Sequence, residues 1–144
     1  MNDNNELIRF LEAQNQVYLK ALAEIKNGRK ETHWMWYIFP QMKGLGSTET
    51  AQFYGIKDWS EATAYLQHPV LGQHLIEISY VVLQLEGKTS VEIFGTPDDL
   101  KLRSCMTLFA TVENADPVFS AVLDKYFNSI PDKRTLQLLN RIKS

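Results

Sequence analysis

The residues of this 144-residue chain that could do chemistry fall into two groups well separated along the sequence. The first is an aromatic segment, residues 33–41, that holds two of the three tryptophans and a histidine. The second, residues 98–104, holds carboxylates, cations and a hydroxyl. Indole rings fix flat or sugar-like ligands, and neighbouring cations bind negative charge. Together the two groups predict a pocket for a small anionic ligand.

The aromatic segment supplies the first candidates. Trp34 and Trp36 are two positions apart, so they cannot both face one side of a helix. If one faces the core, the other points elsewhere, into a cleft. His33, close to Lys30, could serve as an acid, a base or an anion ligand, although a single histidine among aromatics is more often packed. Gln41 offers an amide for a hydroxyl or a base edge, or is simply a turn residue.

The polar group supplies the remaining candidates. Asp98 and Asp99 lie in the first turn of a predicted helix, where carboxylates favour the helix dipole. Asp99 and Arg103 are four apart and can form a surface pair, while Lys101 and Ser104 share a face. If that face turned toward the aromatic segment, a cation and a hydroxyl would meet two indoles. We therefore predict His33, Asp98 and Lys101 as catalytic residues, and as ligand-binding residues Lys30, Trp34, Trp36, Gln41, Arg103 and Ser104.

Other kinds of site find little support in the residue spacing. His33, His68 and His74 have no neighbouring cysteine and no spacing of four, so no metal site is predicted. Cys105 lies in the apolar stripe of its helix, where a thiol is inert. No nucleophile elbow and no phosphate-cradling glycine loop is present. No cofactor is predicted.

Composition describes an ordinary globular chain. The net charge of −2 and the pI of about 5.9 argue against binding to a nucleic acid polymer. The single cysteine suits a reducing compartment. Neither a secretory signal nor an apolar run long enough for a membrane span is visible. We expect one domain over residues 1–144 and a cytoplasmic location; the oligomeric state is left open.

Apolar periodicity predicts the helices that must position the candidates. Apolar residues at steps of three and four predict one helix over 7–25, stopped at Gly28. The aromatic segment lacks alternation, which predicts an irregular or single-turn connector ended by Pro40. Ser47 and Ser60 can cap two short helices.

The second half of the chain continues the helical pattern. A wide apolar surface over 70–85 predicts a central helix that begins at Pro69. Three further helix starts contain Pro97, Pro117 and Pro131, and their narrow stripes place these helices over the core. The whole chain is predicted to be a single compact all-α domain of about seven helical segments with an irregular aromatic connector.

Several runs give the chain a recognisable pattern. They are His33-Trp34-Met35-Trp36-Tyr37-Ile38-Phe39-Pro40-Gln41, Gly44-Leu45-Gly46-Ser47, His68-Pro69-Val70-Leu71-Gly72 and Gly95 with Pro97-Asp98-Asp99 and Lys101-Leu102-Arg103-Ser104. This pattern resembles the bacterial domain-of-unknown-function family 1810 over roughly residues 7–139. The resemblance implies an all-helical, cytoplasmic protein and implies no activity.

A more distant likeness concerns helical proteins that process ADP-ribose derivatives by N-glycosidic cleavage. It rests on the order of an aromatic, histidine-bearing segment followed by a helix rich in Asp, Lys and Arg. Two hypotheses follow. The first is a pocket for a phosphorylated or nucleotide-like ligand of the ADP-ribose type, with hydrolase-like chemistry. The second is a non-enzymatic helical module that binds other proteins through exposed Trp and Arg.

Overall fold

The computed structural model describes the backbone of residues 3–143 and the side chains of residues 6–140. Over this range the chain forms ten helices, and the only pairing of extended backbone is an isolated parallel bridge between Met42 and Ile56. The helices are α1 Asp3–Gln14, α2 Tyr18–Lys26, α3 Met35–Ile38, α4 Glu49–Tyr54, α5 Trp59–Gln67, α6 Leu71–Gln84, α7 Ser90–Phe94, α8 Asp98–Ala110, α9 Val118–Phe127 and α10 Lys133–Lys143. The predicted all-α class is confirmed, with more helices than the predicted seven.

The helix predicted over 7–25 is two helices. The chain leaves helical geometry at Asn15 and Gln16, and α2 restarts after Val17. Asparagine is a weak helix former, which favours an interruption here. The apolar periodicity continues across this interruption and therefore does not reveal it. The predicted stop is present, because Gly28 has φ of 84° in the left-handed region.

The aromatic connector contains the single turn α3, as predicted. Its side chains enter the core, where Ile38 and Phe39 are buried beneath the helices. Past Pro40 the chain runs extended for long enough to pair Met42 with Ile56. The aromatic segment is therefore held at both ends by packing and backbone hydrogen bonds.

Two helix caps differ from the sequence expectation by one or two residues. Thr48, and not Ser47, caps α4 by accepting a bond from Ala51 N at 3.1 Å. Asp58, and not Ser60, caps α5 by accepting from Glu61 N at 2.9 Å. In both cases two nearby side chains offer an oxygen that can accept from the backbone of the helix. Only the backbone geometry selects between them.

The core is built around α6 and α8, which both pack against α5 and α9. Helix α6 packs against α2, α5 and α9, and α8 packs against α5, α7, α9 and α10. Helix α8 is buried over most of its surface and does not merely cover the core as its narrow stripe predicted. Among the largest fully buried side chains are Trp34, Tyr65, Phe10, Phe39, Phe109 and Phe119. None of the helices over residues 3–143 has the length and apolar character needed to cross a membrane.

Candidate functional site

The two candidate groups meet in one cavity. It has a volume of about 270 Å³ and lies between the α2–α3 loop, α3 and the start of α8. The described residues that line it are Lys30, His33, Trp34, Met35, Trp36, Tyr37, Thr50, Asp98 and Lys101. Six of the nine site residues predicted from the sequence are therefore brought together.

An ionic group joins the two segments. Asp98 forms ion pairs with two lysines: its Oδ2 lies 2.9 Å from Lys30 Nζ, and its Oδ1 lies 3.2 Å from Lys101 Nζ. Two ammonium groups share one carboxylate, so the charged side chains that line the cavity carry more positive than negative charge. Lys30 is only 7% exposed, whereas Lys101 is 32% exposed. Lys101 is therefore the more accessible of the two cations.

Lys30 is fixed by its surroundings. Its backbone N–H donates to Ile93 O at 2.7 Å, and its ammonium donates to Thr32 O at 2.6 Å. The same ammonium lies 4.9 Å from the centre of the Trp34 ring, within cation–π range. The position of this charge is thus set before any ligand arrives.

A buried carboxylate that the sequence reading missed lies beneath the cavity. Glu24 Oε1 accepts from Trp34 Nε1 at 2.9 Å, and from the backbone N–H groups of Glu31 at 2.8 Å and Thr32 at 3.0 Å. Its Oε2 accepts from Thr32 Oγ1 at 2.6 Å. Burial alone would raise the pKa of Glu24, but these four bonds outweigh it and lower the pKa to about 2.

Glu24 therefore holds the α2–α3 loop and the Trp34 ring as a permanent anion. A signal for it was present in the sequence. Glu24 follows Ala21 by three residues and so lies on the apolar face of α2, where a carboxylate requires partners.

The two indoles are both buried and both line the cavity, but they have different neighbours. Trp34 is fully buried and belongs to the core cluster. Trp36 is 8% exposed and packs on the other side, next to Gly46 and Ala51. A Cβ on Gly46 would lie 3.1 Å from Trp36 Cζ2 and 2.7 Å from Ala51 Cβ, so glycine allows this close approach.

A second cavity, of about 390 Å³, adjoins the first through Trp36 and Lys101, which line both. Its other described lining residues are Gln41, Leu45, Gly46, Thr48, Ala51, Pro97, Leu100, Ser104, Asp132 and Arg134. Gln41 and Ser104, predicted from sequence, lie here. Over the described residues, the buried Gln41 amide nitrogen has no hydrogen-bond partner, which leaves a donor for an oxygen acceptor.

Arg103 lies apart from both cavities. Its Nη2 is 3.9 Å from Asp132 Oδ1, and its guanidinium lies 6.0 Å from the centre of the Phe127 ring. The surface pair expected with Asp99 is absent from the described residues, because Asp99 is buried and accepts from Thr96 Oγ1 at 2.8 Å. Arg103 therefore joins α8 to the start of α10 and does not reach the aromatic segment.

Two further groups that could react are an exposed histidine and a buried thiol. His33 is exposed at the cavity mouth, and its carbonyl accepts from Tyr37 Oη at 2.9 Å. Burial raises the pKa of the Cys105 thiol well above its ordinary value, as expected of a structural cysteine. Within the described side chains, no three His, Cys, Asp or Glu residues are grouped to hold a metal ion.

These features define a small all-α protein with a basic, aromatic-walled cavity. The chain belongs to the family described as "protein of unknown function (DUF1810)", whose sequence profile matches residues 4–139. It is similar to the conserved hypothetical protein Rv1873 from Mycobacterium tuberculosis, with 50% sequence identity and a TM-score of 0.92. That likeness covers 94% of this chain and 96% of Rv1873. No curated protein matches the chain.

Proposed function

We propose that the two joined cavities bind a small phosphorylated, nucleotide-like ligand of the ADP-ribose type. The observation that carries this proposal is the pair of ammonium groups of Lys30 and Lys101 on the single carboxylate of Asp98, beside the two indoles. A phosphate group satisfies the surplus positive charge, and charge-assisted bonds to phosphate are among the stronger polar contacts in proteins.

The ligand phosphate displaces Asp98 from Lys101, because Lys101 is the more exposed of the two lysines. Lys30 keeps its contact with Asp98 through its fixed position under the Trp34 ring. The flat or sugar part of the ligand lies along Trp36, which borders both cavities. Its oxygen atoms accept from Gln41 in the second cavity.

The released Asp98 oxygen supports a hydrolase-like reaction of the N-glycosidic type. A water molecule adds to the anomeric carbon, Asp98 takes the water proton, and the electron pair of the carbon–nitrogen bond leaves with the base. His33, at the mouth of the cavity, donates a proton to the departing nitrogen. The carboxylate also stabilises the positive charge that develops on the sugar ring.

Binding is tested by ligand-observed NMR with ribose 5-phosphate, adenosine monophosphate and ADP-ribose, each compared with uncharged ribose or adenosine. We expect signals from the phosphorylated probes only, and weaker signals with Lys101→Gln. Equal signals from the uncharged probes, or none at millimolar concentrations, would contradict a phosphate site.

Chemistry is tested separately with Asp98→Asn. This variant removes the competing carboxylate, so we expect phosphate binding to be kept or tightened. Chromatography measures the release of free base from a bound nucleotide, and we expect the Asp98→Asn variant to release none. If the unaltered protein binds the nucleotide and releases no base, the cavity is a binding site without this reaction.

The interaction-module hypothesis has one observation in its favour. Phe53 and Ile8 are exposed large apolar residues that line the same open cavity. Thermal-shift screening separates the two functions. Stabilisation by nucleotides or sugar phosphates and none by partner peptides favours the ligand site, and the reverse favours the module.

A further inference from the structure

A third cavity lies on a different part of the surface, where α1 and α2 meet α6. It has a volume of about 680 Å³ and shares no described lining residue with the two cavities of the proposed phosphate site. Its polar end contains Gln14, Tyr18, His74 and Glu77. Its apolar side contains Leu11, Leu19 and Val70.

A hydrogen-bond network fixes the polar end. The Gln14 side chain is buried, and its Nε2 donates to Tyr37 O at 2.8 Å and to Tyr65 Oη at 2.9 Å. Because a backbone carbonyl can only accept, the amide orientation of Gln14 is determined. Gln14 Oε1 therefore faces His74 Nδ1, at 2.8 Å, as an acceptor.

This network selects one tautomer of His74. Since Gln14 Oε1 accepts, His74 Nδ1 carries the hydrogen. Burial lowers the pKa of His74 although the carboxylate of Glu77 raises it, and the net shift favours the neutral ring. In the neutral ring Nε2 is then an unprotonated acceptor.

The His74 ring is held in place as well as oriented. It stacks on Tyr18 with ring centres 3.7 Å apart and planes inclined by 7°. Tyr18 Oη donates to Glu77 Oε1 at 2.5 Å and to His74 O at 3.1 Å. Glu77 follows His74 by three residues on α6, so the carboxylate and Nε2 lie on one helix face.

The charge of this third cavity is opposite in sign to that of the proposed phosphate site. Its described lining residues include one carboxylate, Glu77, and no lysine or arginine. Two acceptors, Glu77 Oε2 and His74 Nε2, have hydrogen-bonding capacity left for a donor. Leu19, which is 77% exposed, and Val70 add apolar surface beside them.

We propose that this cavity is a binding site for a small organic ammonium ion, a protonated amine with an apolar body. The ammonium donates to the Glu77 carboxylate and to His74 Nε2. The apolar body covers Leu11, Leu19 and Val70 and removes them from water. This site is independent of the proposed phosphate site and does not rest on it.

The experiment uses the full chain and benzylamine as the probe, with benzoate and benzyl alcohol as controls of the same size. Backbone amide resonances are followed by NMR during each titration. We expect benzylamine to shift resonances of residues 11–19, 70, 74 and 77, and benzoate to leave them unchanged. Equal shifts with benzoate, or no localised shifts at millimolar benzylamine, would overturn the proposal.

Two variants test the contacts without touching the core. Glu77→Gln removes the charge of a solvent-facing carboxylate, so we expect benzylamine affinity to fall about three- to five-fold. Glu86→Gln on the following loop, whose side chain is largely exposed, is the control for the same charge change. Equal benzylamine affinities of the Glu77→Gln and Glu86→Gln variants would contradict the role of Glu77. Leu19→Asn should also weaken benzylamine binding, and unchanged affinity would contradict the apolar contact.

A direct measurement tests the tautomer. Long-range hydrogen–nitrogen NMR correlations in the free protein should show His74 with a protonated Nδ1 and an unprotonated Nε2. The Nε2 resonance should move when benzylamine binds. A protonated Nε2 in the free neutral ring would remove the acceptor on which the site depends.

Discussion

Lys30 Nζ lies 2.9 Å from Asp98 Oδ2, and this contact joins the α2–α3 loop to the first turn of α8. Lys101 approaches the other oxygen of the same carboxylate. The two lysines differ in burial, since the Lys30 side chain is almost sealed and the Lys101 side chain is partly open. Lys30 therefore belongs to the framework of the cavity, and Lys101 is the group that the proposed ligand would engage.

The first prediction concerns Lys101→Gln. Because this ammonium is partly exposed and pairs with Asp98 alone over the described residues, its removal should change the melting temperature little. Affinity for ribose 5-phosphate should fall about ten-fold, as expected for one charge-assisted bond. Titration by NMR measures this, and Lys20→Gln on the exposed face of α2 is the control. An equal loss in both variants would indicate a general charge effect.

The second prediction concerns acid stability and Glu24. The folded-state pKa of Glu24, about 2, lies below the ordinary glutamate value of 4.5, so the ionised carboxylate stabilises the folded state above pH 4.5. This contribution, about 3 kcal/mol, is lost as the pH falls from 4.5 toward 2.

Urea unfolding at pH 3 to 7 tests this dependence on Glu24. In Glu24→Gln the stability should be lower at neutral pH, and its decline between pH 4.5 and 3 should be shallower. An unchanged slope in the variant would show that other carboxylates govern the acid transition.

The third prediction concerns Gly46→Ala. The new Cβ would press on Trp36 and on Ala51, and the overpacking should cost about 1–3 kcal/mol. Tryptophan fluorescence and urea unfolding should both change. Adding Ala51→Gly relieves the shorter contact, so the double variant should be more stable than the two single effects predict. Additive effects would show that the two residues do not press on each other.

The fourth prediction concerns Cys105. Its thiol is buried within α8 and has a raised pKa, so a thiol reagent should not label the folded protein on the timescale on which it labels the urea-unfolded chain. Absorbance of the released chromophore gives both rates. Rapid labelling without urea would place the thiol within reach of solvent.

Sequence periodicity predicted the helical class and most helix positions. Apolar residues at steps of three and four reflect the local geometry of the helix and do not depend on contacts between distant residues. The spacing of Trp34 and Trp36 predicted that only one of them would face the core, whereas both are buried and both line one cavity. Residue type marked nine candidates for a site, but only the packing of the helices brought six of them to one cavity.

Burial of α8 was hidden by its polar composition. Ser104 donates to Leu100 O at 3.2 Å and Thr107 donates to Arg103 O at 2.8 Å. Each hydroxyl is thereby satisfied within its own helix, so these residues can enter the core at low cost. A pattern of apolar residues does not count such hydroxyl side chains as buried. The sequence therefore predicted that α8 would cover the core, whereas α8 lies mostly inside it.

Contacts between distant parts of the chain were decided by the tertiary structure alone. The sequence left Arg103 free to face the aromatic segment, whereas packing of α8 on α10 turned it toward Asp132. The tautomer of His74 likewise depends on Gln14, Tyr37 and Tyr65, which meet only when the helices assemble. Local periodicity determines helices, but the pairing of polar groups depends on which helix faces share the interior.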